Sequence, residues 1–164
     1  MIDASTETLA TPRVCLPREL VASPVFLLGR VGYGVKLKAL DAFEREGFSP
    51  YHHSVLALLE EGSRETQATI ADALKLDRSQ LVGLLDQLEE KGLIERRRDP
   101  NDRRRHVVSL TPAGKHQLAQ FRKLVKRLEA EILAPLDAEG RATLHRLLLE
   151  IARHQDARFA APGE

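Results

Sequence analysis

Residues 77–111 read DRSQLVGLLDQLEEKGLIERRRDPNDRRRHVVSLT, and the fold follows from how this stretch divides. Asp77 suits a helix N-cap, because its carboxylate can accept from the free N–H groups of the first turn. Gln80, at the third helical position, completes a capping box. Leu81, Leu84, Leu85 and Leu88 follow at i, i+3, i+4 and i+7, which gives one apolar face to bury. Gly92 stands where a helix end favours a left-handed residue. Beyond it, Leu93–Arg96 and His106–Leu110 are strand-like runs flanking Asp99-Pro100-Asn101-Asp102, a turn by composition. The ten residues from Arg96 to Arg105 carry six arginines against two aspartates, in a chain whose overall net charge is only +1. Such a local excess marks a surface for an anionic partner.

Upstream, Thr66 opens a helix, QATIADAL, whose inward residues are expected to be Ile70, Ala73 and Leu74. The turn Lys75-Leu76 then leads to Asp77. Helix, short turn and capped amphipathic helix form a helix-turn-helix, and the following hairpin makes it a winged helix. Ser49-Pro50 starts the preceding helix, YHHSVLALLEEG, which stops at Gly62. Ser23-Pro24 starts an earlier one that runs to Gly47. There Phe26, Leu27, Arg30, Val31, Gly34, Leu37, Leu40 and Phe43 recur at helical spacing. Thr111-Pro112 starts a long helix with the stripe Leu118, Phe121, Leu124, Val125, Leu128, Ile132 and Leu133, broken at Pro135. Asp137 opens the last helix, with Leu144, Leu147, Leu148 and Ile151 as its apolar face and Phe159 beyond. Long amphipathic helices at both ends of so small a head call for a second copy to cover them.

The expected architecture is mainly α with a small β-hairpin wing, a winged helix-turn-helix set between N- and C-terminal dimerisation helices. Its divisions are an extended aperiodic arm (1–22), a dimerisation helix (23–48), the winged helix-turn-helix (49–111) and further dimerisation helices (112–164). Of 164 residues, 43% are hydrophobic and 30% charged, a balance that suits a soluble globular protein. No apolar run reaches the length of a membrane span, and MIDASTETLATPRV lacks the pattern of a secretion signal, so a cytoplasmic location is expected. One cysteine, Cys15, rules out an intramolecular disulfide framework.

The run TQATIADALKLDRSQLVGLLDQLEEKGLIERRRDPNDRRRHVVSLTPAG resembles the MarR family of bacterial winged-helix transcriptional regulators. TQxxIAxxL precedes the recognition helix, LxxQLExxGLIER follows its start, and DPNDRR and LTPAG complete the wing. The likeness is close over residues 49–115, while the flanking helices match in length and pattern. It implies a homodimer on a palindromic DNA operator, usually acting as a repressor. Two positions depart from the pattern. Lys75 stands where a turn glycine is usual, at a cost of about 1 kcal/mol if left-handed. Gly83 occupies a site often filled by arginine.

With the leucine face turned inward, Arg78, Ser79, Gln80, Val82 and Gly83 face outward at the start of the recognition helix, the part that reaches base edges. Arg78 matches guanine, Gln80 adenine and Val82 the thymine methyl. In the wing, the family pattern Asp-x-Arg falls on Asp102 and Arg104, with the arginine aimed at the minor groove. Arg97, Arg103 and Arg105 are expected at or beside phosphates; side chains alternate along a strand, so not all of Arg96, Arg97 and Arg98 reach DNA. Relatives often take small aromatic or anionic effectors, and Arg30, Tyr33, His52 and His53 are the candidate contacts here. Asp72, Asp86, Glu89 and Glu90 read as helix-surface acids.

No phosphate loop, nucleophile elbow or paired-carboxylate site occurs, so no catalysis and no cofactor are expected. Six scattered histidines lack the spacing of a metal site. Counting back 24 residues from Ser49, as the resemblance to hydroperoxide sensors requires, reaches Val25 and not Cys15, which reads as an exposed, unreactive thiol. A winged-helix regulator without an effector, or a protein-interaction module with an acidic partner, remain the alternatives.

Overall fold

The computed structural model describes residues 15–62, 65–98 and 106–159. They form α1 (Arg18–Val21), α2 (Pro24–Glu44), α3 (Pro50–Glu61), β1 (Glu65–Thr66), α4 (Gln67–Leu74), α5 (Arg78–Glu90), β2 (Ile94–Arg98), β3 (His106–Leu110), α6 (Pro112–Ile132), α7 (Ala138–Gln155) and a closing 3-10 turn, Ala157–Phe159. The chain divides into two compact units, the first ending at Leu37 and the second running from Lys38.

In the first unit the stretch expected to be an aperiodic arm contains one helical turn, α1. Pro17 fixes its entry and carries no N–H that would go unpaired. Ser23 Oγ accepts from the Phe26 N–H at 3.3 Å and starts α2. Val25, Leu27, Leu28, Val31 and Leu37 are exposed along that helix.

The second unit has one core. Phe43 from α2, Val55, Leu56 and Leu59 from α3, and Ile70 from α4 meet Leu81, Leu85 and Leu88 from α5. Val108 of β3 and Leu118, Phe121 and Leu124 of α6 close it, with Leu93 and Ile94 from the start of the wing. The three leucines at i, i+4 and i+7 are the innermost residues of α5, and Leu84 is only half-buried at the edge of the stripe. On α4 the inward pair is Ile70 and Leu74, with Ala71 packed beside them. Ala73, expected inward, is exposed, because a helix this short buries one narrow edge.

The wing is antiparallel, with Ile94 opposite Leu110 and Arg98 opposite His106. A third strand not expected from the sequence joins it: β1 pairs Glu65 with Val108 and Thr66 with Val107, in the order β1-β3-β2. Two residues are too short for any alternation to register in sequence. Two glycines hold the junction between α5 and the wing. Gly92 has φ +67°, the left-handed conformation a helix end favours, and Gly114 lies so close to the Leu93 carbonyl that a Cβ would stand 1.9 Å from that oxygen. Asp137 caps α7, accepting from the Gly140 N–H at 2.8 Å. Leu147, Leu148 and Ile151 on that helix are exposed. Among the described residues no helix is long and apolar enough to cross a membrane.

Candidate nucleic-acid interface

The start of α5 is built by its cap. Asp77 Oδ1 accepts from the Gln80 N–H at 2.8 Å and from the Ser79 hydroxyl at 2.7 Å, while the Asp77 N–H donates to Gln80 Oε1 at 3.4 Å. The Gln80 N–H, and then the Ser79 hydroxyl, hold the Asp77 carboxyl below the usual carboxylate range. Ser79 and Gln80 therefore do two things at once. Each helps close the first turn, and each is exposed. Gln80 Oε1 is the cap acceptor, so a two-point grip on adenine, in which that oxygen accepts from the base amino group, competes with a long, weak bond at 3.4 Å. Arg78 is exposed and carries no hydrogen bond or ion pair with the described residues. Val82 is half-buried, and Gly83 opens onto space, with no described residue within 4 Å of where a Cβ would be, its own helix backbone aside.

The three arginines at the base of the wing divide into one engaged within the chain and two that are exposed. Arg96 turns back onto α5: its Nε donates to Glu89 Oε2 at 2.8 Å, its Nη2 reaches the same oxygen and also Asp86 Oδ1 at 2.7 Å, and its backbone N–H meets Glu89 Oε1 at 3.2 Å. The Glu89 pairing raises the Arg96 guanidinium further and lowers the Glu89 carboxyl. Asp86 and Glu89 thus clamp the wing to the recognition helix, a correction to their reading as plain surface acids. Nothing in sequence marked it, because the contact runs from a helix, across a glycine stop, to a strand. Arg97 and Arg98 point outward, Arg97 paired with Glu95 at 2.9 Å and its side chain 75% exposed. Asp102, Arg103, Arg104 and Arg105 lie outside the described residues.

The effector candidates separate. Arg30 and Tyr33 are exposed on α2. His52 is 4% exposed. Its Nδ1 accepts from the Ser49 N–H at 2.9 Å, which leaves the proton on Nε2, donated to Gln87 Oε1 of α5 at 2.9 Å. Burial lowers its pKa, against the hydrogen bond to Gln87, so the neutral ring is favoured. Both nitrogens of His52 are thus engaged within the chain, capping α3 and tying it to α5. His53 is half-buried, packed on Phe43 and Phe121 with centroids 6.0 and 6.1 Å away, and burial, then Arg122, lowers its pKa.

Comparison with known proteins agrees with this fold. The sequence profile of the MarR family matches residues 48–106. A Thauera aromatica protein assigned as the transcriptional regulatory protein of the hcr operon is 33% identical over 143 residues, 82% of this chain and 86% of its own. The transcriptional repressor CouR bound to a 23-mer DNA duplex superposes with a TM-score of 0.75 at 34% identity, over 85% of this chain and all of that one. CouR from Rhodococcus jostii RHA1 bound to p-coumaroyl-CoA gives 0.69 at 29% identity, over 90% and 100%. This chain belongs to the MarR family of winged-helix transcriptional regulators, non-enzymatic proteins that bind DNA and act as dimers.

Proposed function

We propose that the protein is a cytoplasmic homodimeric repressor that binds a palindromic operator and releases it when a small aromatic or anionic effector binds. The observation that carries the reading is Arg78, exposed and without a partner among the described residues, at a capped helix start beside a wing base presenting Arg97 and Arg98. An α-helix fills the major groove and its first turns reach base edges, while arginines beside it meet phosphates. In a twofold dimer the two recognition helices read half-sites one helical turn, about 34 Å, apart. Arg78, Ser79, Gln80, Val82 and Gly83 supply the major-groove face; Arg97, Asp102, Arg103, Arg104 and Arg105 supply the wing, Arg104 entering the minor groove. CouR, bound to DNA in one structure and to p-coumaroyl-CoA in another, supports pairing operator with effector. Arg30, Tyr33 and His53 are the residues whose substitution tests effector contact. His52 serves first to hold α3 on α5.

Footprinting on the region upstream of its own reading frame tests the reading. A protected palindrome with symmetric half-sites is expected, with protection lost on titration of aryl carboxylates or their thioesters. Protection without twofold symmetry rejects the dimeric operator, and protection that withstands a broad panel of such compounds rejects the effector.

A further inference from the structure

Lys75, the first residue past α4, is the sole non-glycine with positive φ among the described residues, at +51°. L-residues adopt that conformation only against steric opposition. Its ammonium lies 2.6 Å from Asp156 Oδ2. Asp156 is the residue that ends α7, and its side chain is only 13% exposed although it carries a charge. Arg158, in the 3-10 turn that follows, donates from Nε to Asp156 Oδ1 at 2.9 Å, and its Nη1 donates to the Asp72 carbonyl. That carbonyl also accepts the Lys75 N–H at 3.2 Å, the bond that closes the end of α4. The Asp72 carboxylate stands 3.9 Å from the same guanidinium. The turn of the helix-turn-helix is thus held from two sides by the C-terminal end of α7.

We infer that Asp156 and Arg158 are positioning residues for DNA binding, which set the turn at Lys75 and through it the direction in which α5 starts. Only Leu76 and Asp77 separate Lys75 from Arg78, so rotation about the left-handed residue swings the first turn of α5 and its outward side chains. Leu76 packs on the core and limits that swing from inside. The Lys75–Asp156–Arg158 chain limits it from outside. Arg158, then Lys75, keep the Asp156 carboxyl ionised far into acid, so the link persists across the physiological range. The same side chain that strains the turn also anchors it. The inference holds with or without an effector.

Two substitutions separate positioning from plain stability, measured in the full-length protein on a duplex that the wild type selects from a random library. Lys75→Gly relieves the left-handed strain and removes the ammonium; Asp156→Asn keeps the shape and removes the charge. Each is expected to weaken DNA binding by about threefold to tenfold, the scale of a partly exposed ion pair lost in both protomers. Lys75→Gly should unfold in urea no earlier than the wild type. Hydrogen exchange at the amides of Leu76–Gln80 should quicken in both variants while α3 keeps its protection. Because the two side chains act on each other, the double variant should bind DNA no more weakly than the weaker single one. If Lys75→Gly binds as tightly as the wild type with unchanged exchange at α5, the positioning role is overturned. Additive losses in the double variant overturn it as well.

Discussion

Gly114 stands where no other residue fits, and its reason lies in a different element, the Leu93 carbonyl that ends the α5 junction. Gly114→Ala must push that backbone away and is expected to cost about 1–3 kcal/mol in urea unfolding; a loss under about 0.5 kcal/mol would show that the junction yields freely. Gly83 is the opposite case. With open space around it, Gly83→Ala should stabilise the protein by up to about 1 kcal/mol through helix propensity alone. His52 makes stability depend on pH. Its folded pKa lies below the ordinary 6.5, so the unfolded chain takes up a proton first. The stabilisation is complete above about 6.5 and lost as pH falls from there toward the folded value; His53 adds in the same direction. Unfolding free energy should therefore fall from about pH 7 to 5, and His52→Gln should flatten that slope. Identical slopes in both proteins would remove His52 as the cause. At this scale the sequence was partly legible. Asp77 and Gln80 announced their cap by spacing, because a cap is local. The engagement of His52 by Gln87 across 35 residues left no local trace.

Arg96 ties the recognition helix to the wing by ion pairs, beside the packing of Leu93 and Ile94 on the α5 leucines. Arg96 and Arg97 are neighbours in sequence yet opposite in role, and salt dependence distinguishes them. Arg97→Ala should lower the slope of log affinity against log salt by roughly one, as removal of a phosphate contact does. Arg96→Ala should weaken DNA binding with the salt slope little changed, since its charge is already neutralised by Glu89 and Asp86. It should also cost about 1 kcal/mol of stability, a modest figure because both carboxylates are more than a third exposed. Equal changes in slope for the two variants would disprove this division of labour. Element order was legible almost throughout, since Ser-Pro, Thr-Pro, Asp caps and glycine stops punctuate the helices. What escaped was set by partners distant in sequence: β1 exists because β3 offers it an edge, and the inner edge of α4 is fixed by the helices around it, not by its own periodicity.

For the whole molecule, the informative residues are the apolar ones that the single chain leaves uncovered. Leu147, Leu148 and Ile151 share one side of α7 and are 44%, 39% and 45% exposed. On α2, Val25 and Val31 are 81% and 59% exposed. An isolated soluble chain rarely keeps so many large apolar residues in contact with water, and members of this family act as dimers. The terminal helices are therefore the expected interface. Burying a side chain of this kind is worth about 1.5–3 kcal/mol, and twofold symmetry counts each one twice. Ile151→Glu, which places two carboxylates in that interface, should shift the protein toward monomer by light scattering at micromolar concentration. If the proposed twofold operator holds, the monomer should lose most of its DNA affinity, because each half-site then binds without the gain in effective concentration that linkage supplies. Val31→Glu tests α2 in the same way. A protein that stays dimeric with both substitutions would place the interface elsewhere. A monomer that keeps full affinity would mean that the two heads never acted together on one site.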